Sequence, residues 1–163
     1  MAKIKADQPL VPSVLDRLLN DEPDLQRESS KSRNQILREM KQSVRRDLEN
    51  LLNTRRRCAS WPENLTELDR SLVSYGIPDV TGAGLGSDRS RVEFCRTIEA
   101  VIRACEPRFK SVKVRPLQNA DKLDRTLRFR IDALLIADPA PEPVVFDSAL
   151  EPGTGNFAVK GVS

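Results

Sequence analysis

Glu106-Pro107-Arg108 is where this sequence holds an acid and a base at the stiffest point of its backbone. Pro107 bars Glu106 from the α region and so ends the helix that precedes it. Arg108 then opens a strand that runs through Val112 and Val114. A carboxylate and a guanidinium fixed at a corner between two core elements suit two kinds of chemistry. Glu106 can serve as a catalytic carboxylate. Alternatively the pair is a structural and docking device, because residues i and i+2 of an extended chain share a face and point together toward a partner. The plainest form of the second reading is a local ion pair that only sets the corner. Such a pair, if exposed, adds just ~0–1 kcal/mol.

Composition narrows the chemistry. The chain has no histidine, which removes Ser-His-Asp and Cys-His nucleophiles and His-containing zinc sites. Three unclustered cysteines do not replace them. Cys95 and Cys105 lie on one helix, ~15 Å apart at helical rise, too far for a disulfide. With Cys58 alone, reduced thiols in a cytoplasm are expected. No metal, cofactor or catalytic set is therefore expected. The length of 163 residues suits one domain with tails. Aromatics are only 4%, so the core must be mainly Leu, Val and Ile. The net charge of +3 permits an acidic partner without demanding one. Met1-Ala2-Lys3-Ile4-Lys5 has no apolar run behind it, so no signal peptide is expected. No window approaches the ~18 apolar residues of a membrane span.

The elements that must hold the corner read as follows. Residues 1–31 form an extended arm broken by Pro9, Pro12 and Pro23, with a two-turn apolar cluster at Val14, Leu15, Leu18 and Leu19. The arm either docks on a partner or folds back on its own domain. A long amphipathic helix begins near Ser32, with Gln35 completing a capping box. Its stripe is Ile36, Leu37, Met40, Val44, Leu48, Leu51 and Leu52, and it runs into Arg55-Arg56-Arg57, which complement the negative end of its dipole. That run binds phosphates or an acidic protein, or is simply a solvated helix end. Leu65, Leu68, Leu72 and Val73 suggest a short helix before a turn fixed by Tyr75-Gly76-Ile77-Pro78. The loop Gly82-Ala83-Gly84-Leu85-Gly86 lacks phosphate-cradle spacing and reads as a connector.

A second amphipathic helix starts near Ser87-Asp88, with Ser90 and Glu93 at capping-box spacing, and buries Phe94, Cys95, Ile98, Val101, Ile102 and Cys105. Beyond the corner the period turns to two. Val112 and Val114 alternate with Lys113 and Arg115 until Pro116 ends the strand. The next strand faces Leu127, Phe129, Ile131, Ala133 and Leu135 one way. At Leu134 and Ile136 both faces are apolar, which predicts cover on both sides. After Asp138-Pro139-Ala140-Pro141-Glu142-Pro143, strands are expected at Val144–Leu150 and Phe157–Val159. The expected fold class is α+β: two long amphipathic helices packed on a small, mainly antiparallel sheet, with an extended N-terminal arm.

The order of motifs resembles the TssE family of type VI secretion baseplate subunits, which are related to lysozyme-like wedge proteins of contractile phage tails. The matching stretches are Ser13-Val14-Leu15-Asp16-Arg17-Leu18, Ser43-Val44-Arg45-Arg46-Asp47-Leu48-Glu49 with Leu51-Leu52-Asn53-Thr54-Arg55, Ser74-Tyr75-Gly76-Ile77-Pro78-Asp79, Glu106-Pro107-Arg108, and Asp138 to Pro143 with the Phe146 strand. The resemblance implies an arm over 1–31 and a single wedge domain over 32–163. It implies an assembly role beside wedge subunits similar to TssF, TssG and TssK, and against the first ring of contractile sheath subunits. The baseplate would sit in the cytoplasm, at the inner face of the membrane complex and without inserting in it. Partner-binding residues implied or expected are Glu106, Pro107 and Arg108 at the corner, with Arg45, Arg46 and Arg55 as a protein-facing basic edge. Strand addition by the sheath would use the C-terminal strands, Val144 to Leu150 and Phe157 to Val159.

The lysozyme-like relationship raises a competing reading, peptidoglycan hydrolysis. Glycoside cleavage needs two carboxylates ~5–9.5 Å apart, Glu106 with Asp132 or Asp79. Arg103 and Arg108 would favour an ionised Glu106 over the protonated acid such cleavage needs. Aromatic platforms for sugars are scarce. Nucleic-acid binding through Arg45, Arg46 and Arg55 to Arg57 is the third class and is not expected, because those residues fall within or beside the resembling stretch and few aromatics are available for stacking.

Overall fold

The structure, a computed structural model, describes residue 18 and residues 32–58, 60–79, 87–119, 126–137, 140–151 and 154–162. The proline-broken arm, apart from a helical and exposed Leu18, and the Gly82 to Gly86 loop lie outside the described residues. Helix α1 spans Arg33–Asn53. Ser32 caps it as the capping box predicts: its hydroxyl accepts from Gln35 N–H, and the Gln35 side chain accepts from Ser32 N–H at 2.8 Å. Helix α2 spans Asp88–Cys105. Its cap is Ser87, whose Oγ accepts from Ser90 N–H at 3.1 Å, so Ser90 is a third-position residue and not the cap of a Ser90–Glu93 box. Four strands follow: β1 (Phe109–Leu117), β2 (Leu127–Leu135), β3 (Glu142–Leu150) and β4 (Phe157–Val162).

The strands pair in chain order β1-β2-β3-β4, and all three pairings are antiparallel. The fold is therefore α+β. Alternation in β2 puts Leu127, Phe129, Ile131, Ala133 and Leu135 on the buried face, as the period-two pattern requires. Against it α1 lays Val44, Leu48, Leu51 and Leu52, and α2 lays Phe94, Cys95, Ile98 and Ile102. Each such side chain contributes about 1.5–3 kcal/mol on burial. Leu, Val and Ile dominate, but three phenylalanines knit the layers. Phe94 of α2 meets Phe129 of β2 edge-on at 6.2 Å and stacks with Phe157 of β4 at 6.3 Å.

Several expectations change. Both helices lie on one face of the sheet, so Leu134 and Ile136 are exposed on the other at 37% and 56%, not covered. Pro116 does not end β1. Val114 N–H, two residues earlier on the same edge, points away from β2 toward Glu99, so Pro116 sits where a strand N–H has no ladder partner to lose. Pro143 lies within β3 for a similar reason, since β4 pairs only from Val145 onward. The Leu65–Val73 stretch forms 3₁₀ turns, Thr66–Arg70 and Leu72–Ser74. Finally, α1 stops at Asn53 with no basic residue in its last turn. Arg55 instead bridges Ile77 in a parallel pair, Ile77 N–H donating to Thr54 O at 2.9 Å and Arg56 N–H to Ile77 O at 2.8 Å. Gly76 makes this possible with φ at +105°, where a β-carbon would collide with the Thr54 carbonyl.

Candidate functional site

At the end of α2, Glu106 leaves the helix with φ −117° and ψ 87°, and its carbonyl accepts from Phe109 N–H at 3.3 Å. Pro107 occupies the second position of that turn, where its fixed φ fits. The turn returns Arg108 toward Glu106. Arg108 Nε donates to Glu106 Oε1 at 2.7 Å and Nη2 to Oε2 at 2.5 Å, a two-point fork, while Arg108 N–H also donates to Oε1 at 3.1 Å. The glutamate is buried, with 8% of its side chain exposed.

The pair does not stand alone. Arg108 Nη2 donates to Asp47 Oδ2 at 2.6 Å, and Nη1 to Ser43 Oγ at 3.3 Å. Arg46 reaches the same carboxylate from its other side, Nε donating to Asp47 Oδ1 at 3.3 Å. One guanidinium thus ties α1 to the joint between α2 and β1. Hydrogen bonding to Glu106 raises the Arg108 pKa further above its ordinary value, with burial opposing and Asp47 adding, so the group stays charged at every accessible pH. Tyr75 packs beside this cluster. Burial raises its phenol pKa first, and electrostatic repulsion from Cys105, Asp47 and Glu106 adds to that.

Ser43 and Asp47 fall in the resembling stretch but not among the site residues expected from the sequence. Both sit one turn apart on α1, flanking its apolar stripe, and Ser43 is only 7% exposed. A polar i, i+4 pair bordering a buried stripe was the available signal. The other expected residues divide. Arg46 joins the corner. Arg45 faces the opposite way, donating to Glu49 at 3.1 Å and to Val159 O at 3.2 Å. Arg55 donates to Gly155 O at 3.0 Å. Asp132 is engaged by Arg115 at 2.6 Å across the solvent face of the sheet, and Arg103 pairs with Glu99 and not with Glu106.

The edges of the sheet are also occupied. Strand β3 is interior, so it offers no edge. Along α1, Arg45, Glu49 and Asn53 recur every four residues and engage the outer edge of β4. Asn53 accepts from Phe157 N–H at 2.8 Å and donates to Phe157 O at 2.9 Å, while Glu49 accepts from Val159 N–H at 3.4 Å. The C-terminal strands are therefore sealed against strand addition over Phe157 to Val159. On β1, Glu99 accepts from Val114 N–H at 3.1 Å.

Neither of two surface hollows among the described residues includes Glu106. One is lined by residues of α2 from Asp88 to Ala100, the other by Thr54, Arg55, Arg57, Leu72, Val73 and Tyr75. Among the described residues no cluster of Cys, Asp and Glu could hold a metal ion, and no helix is long and apolar enough to cross a membrane. A carboxylate buried in a fork with arginine, outside both of these hollows, marks a structural joint in an α+β protein. Comparison with family models agrees: the model for baseplate wedge protein gp25 matches residues 38–140, well over half of the chain. This protein belongs to the gp25 family of baseplate wedge proteins, a structural family whose members assemble with other baseplate proteins. A comparison with curated proteins gave no match.

Proposed function

We propose that this chain is the TssE-type subunit of a type VI secretion baseplate wedge, joining the wedge to the contractile sheath and helping sheath assembly begin. The observation that carries the reading is the Arg108 lock, which holds α1, α2 and β1 in one fixed geometry within the family-matched segment. The resembling motifs extend the match at both ends, from Ser13 to the Phe146 strand. On this reading residues 1–31 are an arm and residues 32–163 one wedge domain. Glu106, Pro107 and Arg108 shape the surface read by the partners, with Arg46 beside them, and Arg45 and Arg55 bracing the basic edge. The partners are wedge subunits similar to TssF, TssG and TssK and the first sheath ring, in the cytoplasm at the inner-membrane complex. Strand addition by the sheath falls to β1, the other edge strand, on which Glu99 engages Val114 N–H.

Peptidoglycan hydrolysis gains nothing from the geometry. Glu106 is bound at both oxygens and Asp132 is spent on Arg115. The test is co-purification of the full chain with its wedge and sheath subunits, wild type against Arg108→Ala. Retention of the wild type and loss of a still-folded variant supports the proposal. Equal retention of both removes the corner from it, and a wild type that captures neither class of subunit sinks it.

A further inference from the structure

The hollow at the far end of α1 carries charge and apolar surface that the fold does not use. Leu72 is the most exposed large apolar side chain in the described residues, at 88%, although its spacing with Leu65 and Leu68 suggests a short helix. It lines the hollow with Arg55, Arg57 and Tyr75. The arginines beside it, like exposed Arg38, Arg89 and Arg96, differ from those at the corner and along the sheet. Arg45, Arg103, Arg108, Arg115 and Arg130 each pair with a carboxylate. Arg55 is tied to a carbonyl, and among the described residues neither Arg56 nor Arg57 has an ion-pair partner; both are exposed.

From this geometry we infer that the hollow docks an acidic protein segment bearing one apolar anchor residue. Carboxylates of the segment meet Arg56 and Arg57, and the anchor covers Leu72. Charge complementarity sets the sign of the partner, and desolvation of Leu72 sets the need for an apolar residue beside the acids. A nucleic acid fits less well. It would leave Leu72 uncovered, and the one aromatic ring here, Tyr75, is half-buried and so a poor platform for stacking. This deepens the assembly reading by naming the chemistry of one partner segment, at a hollow apart from the Arg108 fork.

The test is an NMR titration of the full chain with three probes at equal charge. These are a short glutamate-rich peptide with one central leucine, the same peptide with serine in its place, and an oligothymidylate. Shifts are expected at the amides of Arg55 to Arg57 and Leu72 to Tyr75. The leucine peptide should bind about tenfold tighter than the serine peptide. Leu72→Ser should erase that difference, and Arg56→Gln with Arg57→Gln should weaken both peptides. All three changes are at exposed positions, so folding is retained. Equal affinity of the two peptides, shifts elsewhere, or tighter binding of the oligothymidylate overturns the inference. If the peptide effect fails while wild-type capture of wedge subunits persists, the hollow alone is refuted. If capture fails while the peptide effect holds, the assembly reading is refuted instead.

Discussion

Replacing Gly76 with alanine offers a sharp test of how the corner is supported. A β-carbon built there would lie 2.5 Å from Thr54 O, 3.0 Å from Thr54 C and 3.1 Å from Arg56 N, all backbone atoms that cannot swing aside. At φ +105° the alanine also sits in a region that L-residues rarely occupy, which costs about 1–3 kcal/mol. Relief requires the Tyr75-Gly76-Ile77 turn to withdraw from the end of α1. That breaks the bonds from Ile77 N–H to Thr54 O and from Arg56 N–H to Ile77 O, each contributing ~1 kcal/mol net. The sum is about 3–5 kcal/mol, and for a chain of this size a loss of roughly 6–20 °C in Tm. Gly161→Ala is the matched control, since a β-carbon there meets nothing within 4 Å. Urea unfolding followed by circular dichroism measures both. A Gly76→Ala protein within about 1 kcal/mol of wild type would refute the reasoning, because the clash is a direct consequence of the Arg55–Ile77 bridge.

Other expectations follow from single contacts. Asn53→Ala frees both backbone groups of Phe157, costing about 1–3 kcal/mol in urea unfolding and exposing a strand edge, so sedimentation should show self-association that the wild type lacks. Burial pushes the Cys95 thiol up to about 11, so at pH 8 almost none is thiolate; iodoacetamide should modify exposed Cys58 and spare Cys95 in the folded chain, as mass spectrometry can show. Raising the pH should increase the labelling of Cys95 as its thiolate fraction grows. The hydroxyl of Ser148 is buried without a hydrogen-bond partner among the described residues, so Ser148→Ala should be neutral or raise stability by ~0.5–1 kcal/mol.

How legible all this was depends on sequence distance. Local rules found the start of α1 at Ser32, because a capping box is complete within four residues. They found the buried face of β2, because alternation shows in the strand itself. The Glu106-Pro107 break was equally local. What the corner holds was not: Asp47 lies 61 residues from Arg108 and Ser43 lies 65, and nothing in a single chain pairs positions at such range. The same limit hid the Arg45-Glu49-Asn53 ladder, which reaches β4 from over a hundred residues away. Proline rules misplaced strand ends at Pro116 and Pro143 because they assume a neighbour on each side. The apolar pair Leu134 and Ile136 predicted a cover that lies nowhere among the described residues.

The most direct measurement of the central claim is capture of wedge and sheath subunits by Arg108→Lys, scaled to the folded fraction of each protein. Lysine keeps the charge but cannot make the two-point fork to Glu106 while also reaching Asp47. The account predicts a folded variant whose capture falls several-fold, because the partners read the angle that the fork sets. Capture equal to wild type by a folded Arg108→Lys chain would contradict it, leaving the corner as internal bracing with no part in assembly.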